Sequence, residues 1–287
     1  MKIGVSSYSF INLVRAGKMT QLDVIAKAKE IGFDVIEFST FVLPEGETPL
    51  TFAPKVKEEA ARVGIEVGNY TIAADFLNHP QGVKGQVEAL KDEIQAARLM
   101  GAPGMRHDAT WGGAAIAGKS FDRVLPTLAE GCRAVAEIAA TFGIRTMVEN
   151  HGFFAQDSDR VEKLMNAVNH PNFGWLVDMG NFICADEDSA KAVGIAAPYA
   201  FHVHAKDFHY KPGTEPNPGE GWFTTRAGNY VRGAVVGHGV IPVPQCLGIL
   251  KRAGYNGTVS LEFEGIEDPI VGITLGYKNL KRFVEAL

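Results

Sequence analysis

The chain lacks most of the features that would place it outside a reducing aqueous compartment. It has three cysteines, Cys132, Cys184 and Cys246, an odd number, far apart and without a CxxC pair. That excludes a disulfide framework and points to a reducing environment. No run of about 18 apolar residues occurs, so no membrane-spanning helix is expected. The opening MKIGVSSYSF turns polar at Ser6, too early for the apolar core of a secretory leader. A soluble, cytoplasmic protein is the expectation. Positive charge is not in excess either. With 28 Lys+Arg against 33 Asp+Glu the net charge is −5, which supplies no electrostatic reason for binding nucleic acid or an anionic membrane. No low-complexity tract or linker divides the sequence, and neither a GxGxxG after the first strand nor a glycine motif for gripping phosphate is found.

What is present is alternation. Short β-rich runs at 3–8, 34–39, 65–71, 104–108, 145–150, 174–179, 200–206 and 258–263 are separated by helical patterns near 20–31, 52–63, 84–100, 121–142, 157–169, 187–197, 243–253 and 271–286. In the fourth helix Val124, Leu128, Val135, Ile138 and Phe142 make one apolar stripe. Gly32, Gly64, Gly101, Gly143 and Gly254 stand where helices should end. Strands alternating with helices of this length imply a parallel sheet. Eight such units, in 287 residues that are 46% hydrophobic, predict an α/β fold of the (β/α)8 TIM barrel type, a single domain over 1–287. A doubly wound open sheet is the alternative. The segment from 208 to 241 is rich in Gly and Pro and without helical periodicity. It is expected to form a long loop after the seventh strand, and its Trp222, Phe223, Arg226, Tyr230 and Arg232 suit a lid or a subunit contact.

Four strands finish on a residue able to hold a hard metal ion: Glu149 in TMVE, Asp178 in WLVD, His204 in FHVH and Glu262 in VSLE. Three carboxylates and an imidazole at apolar strand ends would be costly to bury without a partner. In a barrel these ends share the catalytic face, so residues distant in sequence can meet there. One imidazole and three carboxylates favour a single divalent ion of the Mn2+, Mg2+ or Co2+ kind, with Mn2+ the first choice, over a tetrahedral structural zinc.

The segments MVENHG, WLVDMGNF, AFHVHAKD and VSLEFEG resemble the strand ends of the sugar phosphate isomerase/epimerase superfamily. These are the xylose isomerase-like barrels that include ketose 3-epimerases, inosose dehydratase and inosose isomerase. The resemblance covers nearly the whole chain and is strongest from 145 to 265. It implies that Glu149, Asp178, His204 and Glu262 are the metal ligands, and that Glu149 and Glu262 double as the catalytic acid/base pair. The chemistry is self-consistent. Loss of a proton α to a carbonyl gives an enediolate, whose charge a cation stabilises. Glutamates on two sides of the substrate can then take the proton from one face and return it to the other.

The pattern departs from the ketose 3-epimerases at three positions. Their histidine three residues after the aspartate is Asn181 here, their glutamate six residues after the first ligand is Ala155, and their arginine six residues after the ligand histidine is Tyr210. Other residues are expected at the substrate: His107 and Trp111 beyond the fourth strand, His151, Asn181, Lys206, and His238 between two glycines. Glu37 is expected to line the mouth with Tyr8 and Phe10. Asp207 would orient a neighbour.

The leading expectation is a metal-dependent isomerase or epimerase of a sugar, keto-sugar or inositol derivative. The alternative is a lyase on the same barrel, either an inosose-type dehydratase or an enzyme eliminating the aglycone of a 3-oxo-glycoside. The expected partners are a small carbohydrate substrate and either further copies of the chain or a small β-rich subunit docked on 208–241. A multi-zinc DNA-repair endonuclease would need more histidine ligands and a basic groove. A sugar-binding protein would not need carboxylates on both faces of its ligand.

Overall fold

The apolar runs are extended and buried on both faces, as parallel strands covered by helices must be. The computed structural model describes residues 1–287, the side chain of Ala114 excepted. In chain order the strands are β1 (Lys2–Ser6), β2 (Val35–Ser39), β3 (Glu66–Ile72), β4 (Gly104–His107), β5 (Arg145–Glu149), β6 (Phe173–Asp178) and β7 (Ala200–Ala205). There follow β8 (Asp207–Lys211), β9 (Phe223–Thr224), β10 (Tyr230–Ala234) and β11 (Thr258–Leu261). Among the described residues β1–β7 and β11 close into a parallel barrel in the order β1-β11-β7-β6-β5-β4-β3-β2. The expected (β/α)8 barrel is therefore the observed fold. Each expected strand is found within two residues of its bounds.

The helices form where local sequence permits. Thr20 with Asp23, and Thr48 with Thr51, make reciprocal capping boxes at the starts of Gln21–Ile31 and Pro49–Val63. The five glycines expected to end helices all take positive φ, from 72° at Gly143 to 118° at Gly32, the left-handed conformation that only glycine adopts cheaply. In Phe121–Thr141 the stripe residues Val124, Leu128 and Val135 are buried and pack into the layer between helices and barrel. Among the described residues no helix is long and apolar enough to cross a membrane.

One segment differs from expectation. The stretch from 208 to 241 is not a plain loop: β8, β10 and β9 form a three-stranded antiparallel sheet over the C-terminal face. Its strands are short and its turns rich in Gly and Pro, so neither alternation nor helical periodicity announces it. Two aspartates hold it down. Asp186, in the left-handed region at φ 58°, accepts from Thr225 Oγ1 at 2.6 Å and Asn229 Nδ2 at 2.8 Å. Asp207, buried, accepts four backbone N–H groups: Phe208 at 2.8 Å, Gly237 at 2.9 Å, Gly239 at 2.8 Å and Ile241 at 3.0 Å. A Cβ at Gly239 would stand 2.2 Å from Asp207 Oδ1. Gly239 thus serves close approach to this carboxylate, and Gly237 takes the left-handed conformation at φ 90°.

Replacing Asp207 by Ala removes the acceptor of four amide donors, two of which, Phe208 N and Ile241 N, are buried. At a cost on the order of 1–3 kcal/mol for an unsatisfied buried group, Asp207→Ala should lower the melting temperature and open the 208–241 segment to limited proteolysis. Asp207→Asn, which keeps an acceptor oxygen, should fall between it and the parent. Equal melting and cleavage in all three proteins would rule out the carboxylate as the anchor.

Candidate active site

Strand geometry delivers the four expected ligands to one place. Glu149 ends β5, Asp178 ends β6, His204 lies in β7 and Glu262 follows β11. One ligand atom from each lies within 4.8 Å of all the others, and all four residues are buried. Asn150 braces two of the strand ends: its Oδ1 accepts from Asp178 N at 3.0 Å and Trp175 Nε1 at 3.1 Å, and its Nδ2 donates to Asp178 O at 2.8 Å. Asp178 Oδ1 is occupied by the N–H groups of Gly180 and Asn181, which aims Oδ2 inward. His204 Nδ1 stands 3.8 Å from Glu149 Oε1, 3.7 Å from Asp178 Oδ2 and 3.6 Å from Glu262 Oε2.

These separations suit a cation better than hydrogen bonds. His204 Nδ1 is buried without a hydrogen-bond partner, and Asp178 Oδ2 has none beyond an ion pair with Lys206 Nζ at 3.3 Å, a costly arrangement for a ring nitrogen and a carboxylate oxygen. Ligand atoms each about 2.1 Å from a shared ion would stand about 3.0 Å apart at a right angle and about 3.4 Å apart at a tetrahedral angle. The observed distances are slightly longer, as a site able to tighten around an ion would be. A second group, Glu37 with His202 and His204, fails the same test. Its N···O separations are 2.7 and 2.6 Å, too short for an ion between them and right for hydrogen bonds.

The electrostatics tell the same story. Burial opposes charge on His204, yet Glu37 and Glu262 overcome it and hold its pKa well above the ordinary value. The surroundings thus demand positive charge at this ring. Burial would raise Asp178 and Glu262, but Lys206 and His204 keep both carboxyls below their usual range. Glu149 is pushed up by burial despite the pull of Arg106 and His204. Each glutamate of the pair has its own cation: Arg106 Nη2 lies 2.6 Å from Glu149 Oε2, and Lys206 Nζ lies 2.6 Å from Glu262 Oε2. Lys206 also stands 3.3 Å from Asp178 Oδ2 and 3.4 Å from Glu264 Oε2.

A cavity of about 420 Å³ opens over this cluster. That size matches a small-molecule site. Glu149, Glu262, His204 and Lys206 reach its surface, with Arg106, Asp108 and His151 on one side and Tyr8, Trp111 and Glu264 around the mouth. His151 Nδ1 is 3.0 Å from Asp108 Oδ1, and its ring meets Trp111 edge-on at 4.7 Å. Asn181 is buried beside the cavity, donating to Glu149 Oε1 at 2.9 Å and facing Lys206 Nζ at 3.3 Å. It orients a ligand carboxylate and an ammonium.

Four expected positions lie elsewhere. His107 is buried against Phe76 and Phe173 with Nδ1 on Asp108 O. Burial depresses its pKa to about 4, and it does not reach the cavity. The side-chain alternation of β4 explains this: Arg106, one residue earlier, takes the inward position. His238 is exposed and outside the cavity wall, because its flanking glycines turn the chain towards Asp207. Glu37 is not at the mouth. It is fully buried and clasps His204 and His202. Phe10, too, is core rather than mouth. Arg106, Asp108 and Glu264 were missed. Nothing in their spacing marks them, although MRHD and LEFEG carry two polar residues at alternate positions past a strand, the one available hint.

Known proteins were compared with this architecture. A family model for the xylose isomerase-like TIM barrel matches residues 25–283. An inosose dehydratase of Clostridium perfringens is 27% identical over 154 residues, 53% of this chain and 50% of that protein. The chain thus spans about half the length of the curated relatives it matches. Among solved structures, the IOLI protein with a bound zinc atom superposes with a TM-score of 0.75 at 16% identity, covering 100% of this chain and 99% of that one. An L-ribulose 3-epimerase gives 0.72 at 17% identity, covering 99% and 95%. At such identities the structures attest the fold alone. The family match extends over most of the sequence, and the chain belongs to the xylose isomerase-like TIM barrels.

Proposed function

We propose that the protein is a divalent-metal-dependent enzyme that removes a proton α to the carbonyl of a single polyhydroxylated ketone, a keto-sugar or an inositol-derived ketone, and returns it as an isomerase or epimerase. One observation carries this reading: Glu149 and Glu262 both open onto the cavity, and each is held by its own buried cation. Glu149, Asp178, His204 and Glu262 would hold the ion. Bound there, it would polarise the carbonyl and offset the negative charge that proton loss creates; Mn2+, Mg2+ or Co2+ suits the oxygen-rich set, and a similar barrel, the IOLI protein, is a structure with a bound zinc atom.

The chain's own groups do the rest. Arg106 and Lys206 fix the two carboxylates from two sides, so a proton taken by one glutamate does not let it swing away. Asn181 Nδ2 pins Glu149 Oε1. Lys206 also presents an ammonium to the cavity, where it can steady a substrate oxygen. Tyr8 and Trp111 offer aromatic faces at the mouth, suited to the C–H face of a six-membered ring. A cavity of about 420 Å³ has room for one such ring with its hydroxyls.

A second reading is favoured by the His151–Asp108 pair. Elimination begins with the same proton loss but then needs a donor for the departing β-oxygen. Burial disfavours charge on His151, yet Asp108 outweighs it and raises the pKa, which suits a proton donor. The curated relatives matched in sequence are named inosose dehydratases, in keeping with a lyase.

Incubating the Mg2+- or Mn2+-loaded protein with ketoses and inososes in D2O, followed by mass spectrometry, should reveal deuterium in recovered substrate or epimer. Glu149→Gln and Glu262→Gln should each cut exchange by about 10²–10⁴-fold. Retention of exchange in either variant would strip that glutamate of its role. His151→Gln separates the two readings. It should leave both exchange and product intact in an epimerase, but should preserve exchange while halting release of water or aglycone in a lyase.

A further inference from the structure

One of the four strand-end residues, His204, is held by a fifth side chain that reaches across the barrel. Glu37 comes from β2, and in the closed order β1 and β11 stand between β2 and β7. Its carboxylate therefore crosses the barrel interior to meet His204. It is wholly buried, with Oε1 2.6 Å from His204 Nε2, Oε2 2.7 Å from His202 Nε2, and Asn69 Nδ2 3.3 Å from Oε2. The same His202 Nε2 is also 2.9 Å from Ser260 Oγ. Among these contacts Glu37 can only accept, since its oxygens face the two ring nitrogens and an amide donor. The proton shared with His204 then resides on Nε2. Nδ1, on the far side of the same ring, has no hydrogen-bond partner and faces three carboxylates.

We propose that Glu37 is a positioning residue for the divalent ion: it fixes His204 in the Nε2–H tautomer and aims the Nδ1 lone pair at Glu149, Asp178 and Glu262. This rests on the reading that those four residues bind an ion, and adds which nitrogen binds it and what sets that choice. The geometry excludes the reverse arrangement. Turning the ring to ligate through Nε2 would break the 2.6 Å bond and leave Glu37 Oε1 buried without a donor. Carboxylate-bound imidazoles are also stronger ligands, because the anion supports the positive charge that the ring acquires. His202 has a separate task here, holding the second oxygen so that the carboxylate cannot rotate.

The test is calorimetric titration of Mn2+ into the apo protein, alongside long-range 1H–15N correlation of the His204 ring in the Zn2+-loaded form. In the parent protein the ring should show the proton on Nε2 and the metal on Nδ1; the reverse assignment would overturn the proposal without any variant. Glu37→Gln, which preserves shape, should weaken Mn2+ binding by about 10–100-fold while its thermal unfolding remains cooperative. Glu37→Asp, which keeps the charge, should recover part of the affinity. Ser260→Ala, which leaves the Glu37–His204 bond in place, should bind as the parent does. Parent-like affinity in a folded Glu37→Gln would refute the positioning role alone. A parent protein that binds no divalent ion would overturn both this proposal and the metal reading beneath it.

Discussion

Anionic oxygen concentrated in a dry barrel mouth is the constraint around which this structure is organised. Glu149, Asp178 and Glu262 converge within a few ångströms, with Glu37 beneath and Asp108 and Glu264 at the sides. Such a cluster can exist only if positive charge reaches it from several directions. The chain supplies Arg106 on one side and Lys206 on the other, each bonded to a glutamate at 2.6 Å. At the centre His204 Nδ1 faces three carboxylates without a hydrogen-bond partner, and the pKa of that ring is held well above its ordinary value. The two side-chain cations are at the rim of the cluster, and the middle is shaped for an ion. Stability and chemistry are coupled here, because the groups that would react are the ones whose repulsion has to be neutralised.

The cap obeys the same rule on a smaller scale. The sheet of β8, β10 and β9 is too short to fold by itself, and it is held by carboxylates that satisfy backbone donors. Asp207 directly follows Lys206, so one turn of chain serves both purposes: Lys206 points into the ligand cluster, and Asp207 gathers the amides of the returning segment. Gly233 adds a backbone contact, since a Cβ there would meet Glu264 O at 2.3 Å. Glu264, at the cavity wall, is thereby located by the cap. The cap's position and the shape of the substrate site are parts of one arrangement.

Much of this was legible in the sequence, for physical reasons that also mark the limits. The barrel was readable because a strand buried on both faces must be apolar, and a helix behind it must present a stripe and then stop at a left-handed residue; Gly32 to Gly254 punctuate those stops. The convergence of Glu149, Asp178, His204 and Glu262 was readable because a carboxylate or imidazole ending an apolar strand is out of place unless it has work to do. Residues that act through a partner leave no such mark. Glu37 stands in the middle of β2 rather than at its end, so it lies below the site and not at the mouth; the bond to His204 spans the barrel, and no local pattern encodes a cross-barrel contact. His107 and Arg106 are adjacent, and which one points inward depends on the phase of β4, a short strand where an error of one residue exchanges the faces. His238 between glycines looked like a loop residue placed at a ligand, but the glycines answer to Asp207. The cap sheet escaped notice because β9 has only two residues and its restraints come from Asp186, in another loop.

The remaining question, proton return against elimination, turns on the cavity wall rather than on the ligand cluster. On the proposed reading both outcomes would share the first step, whose carboxylates and imidazole lie on β5, β6, β7 and just after β11. The difference is whether a proton donor stands near the β-oxygen. On the side of Glu149, Arg106 binds both Glu149 and Asp108, and Asp108 in turn holds His151, so the base on that wall is linked by charge to a possible donor three contacts away. On the side of Glu262, Lys206 links Glu262 to Glu264, whose carboxyl is raised by burial although Lys206 opposes it. Each glutamate thus has behind it a cation and then a further titratable group. Two such walls can pass a proton across a substrate plane as readily as they can protonate a leaving group. On the proposed reading, the orientation of a substrate between them, beside Tyr8 and Trp111, would be the physical variable that selects the product.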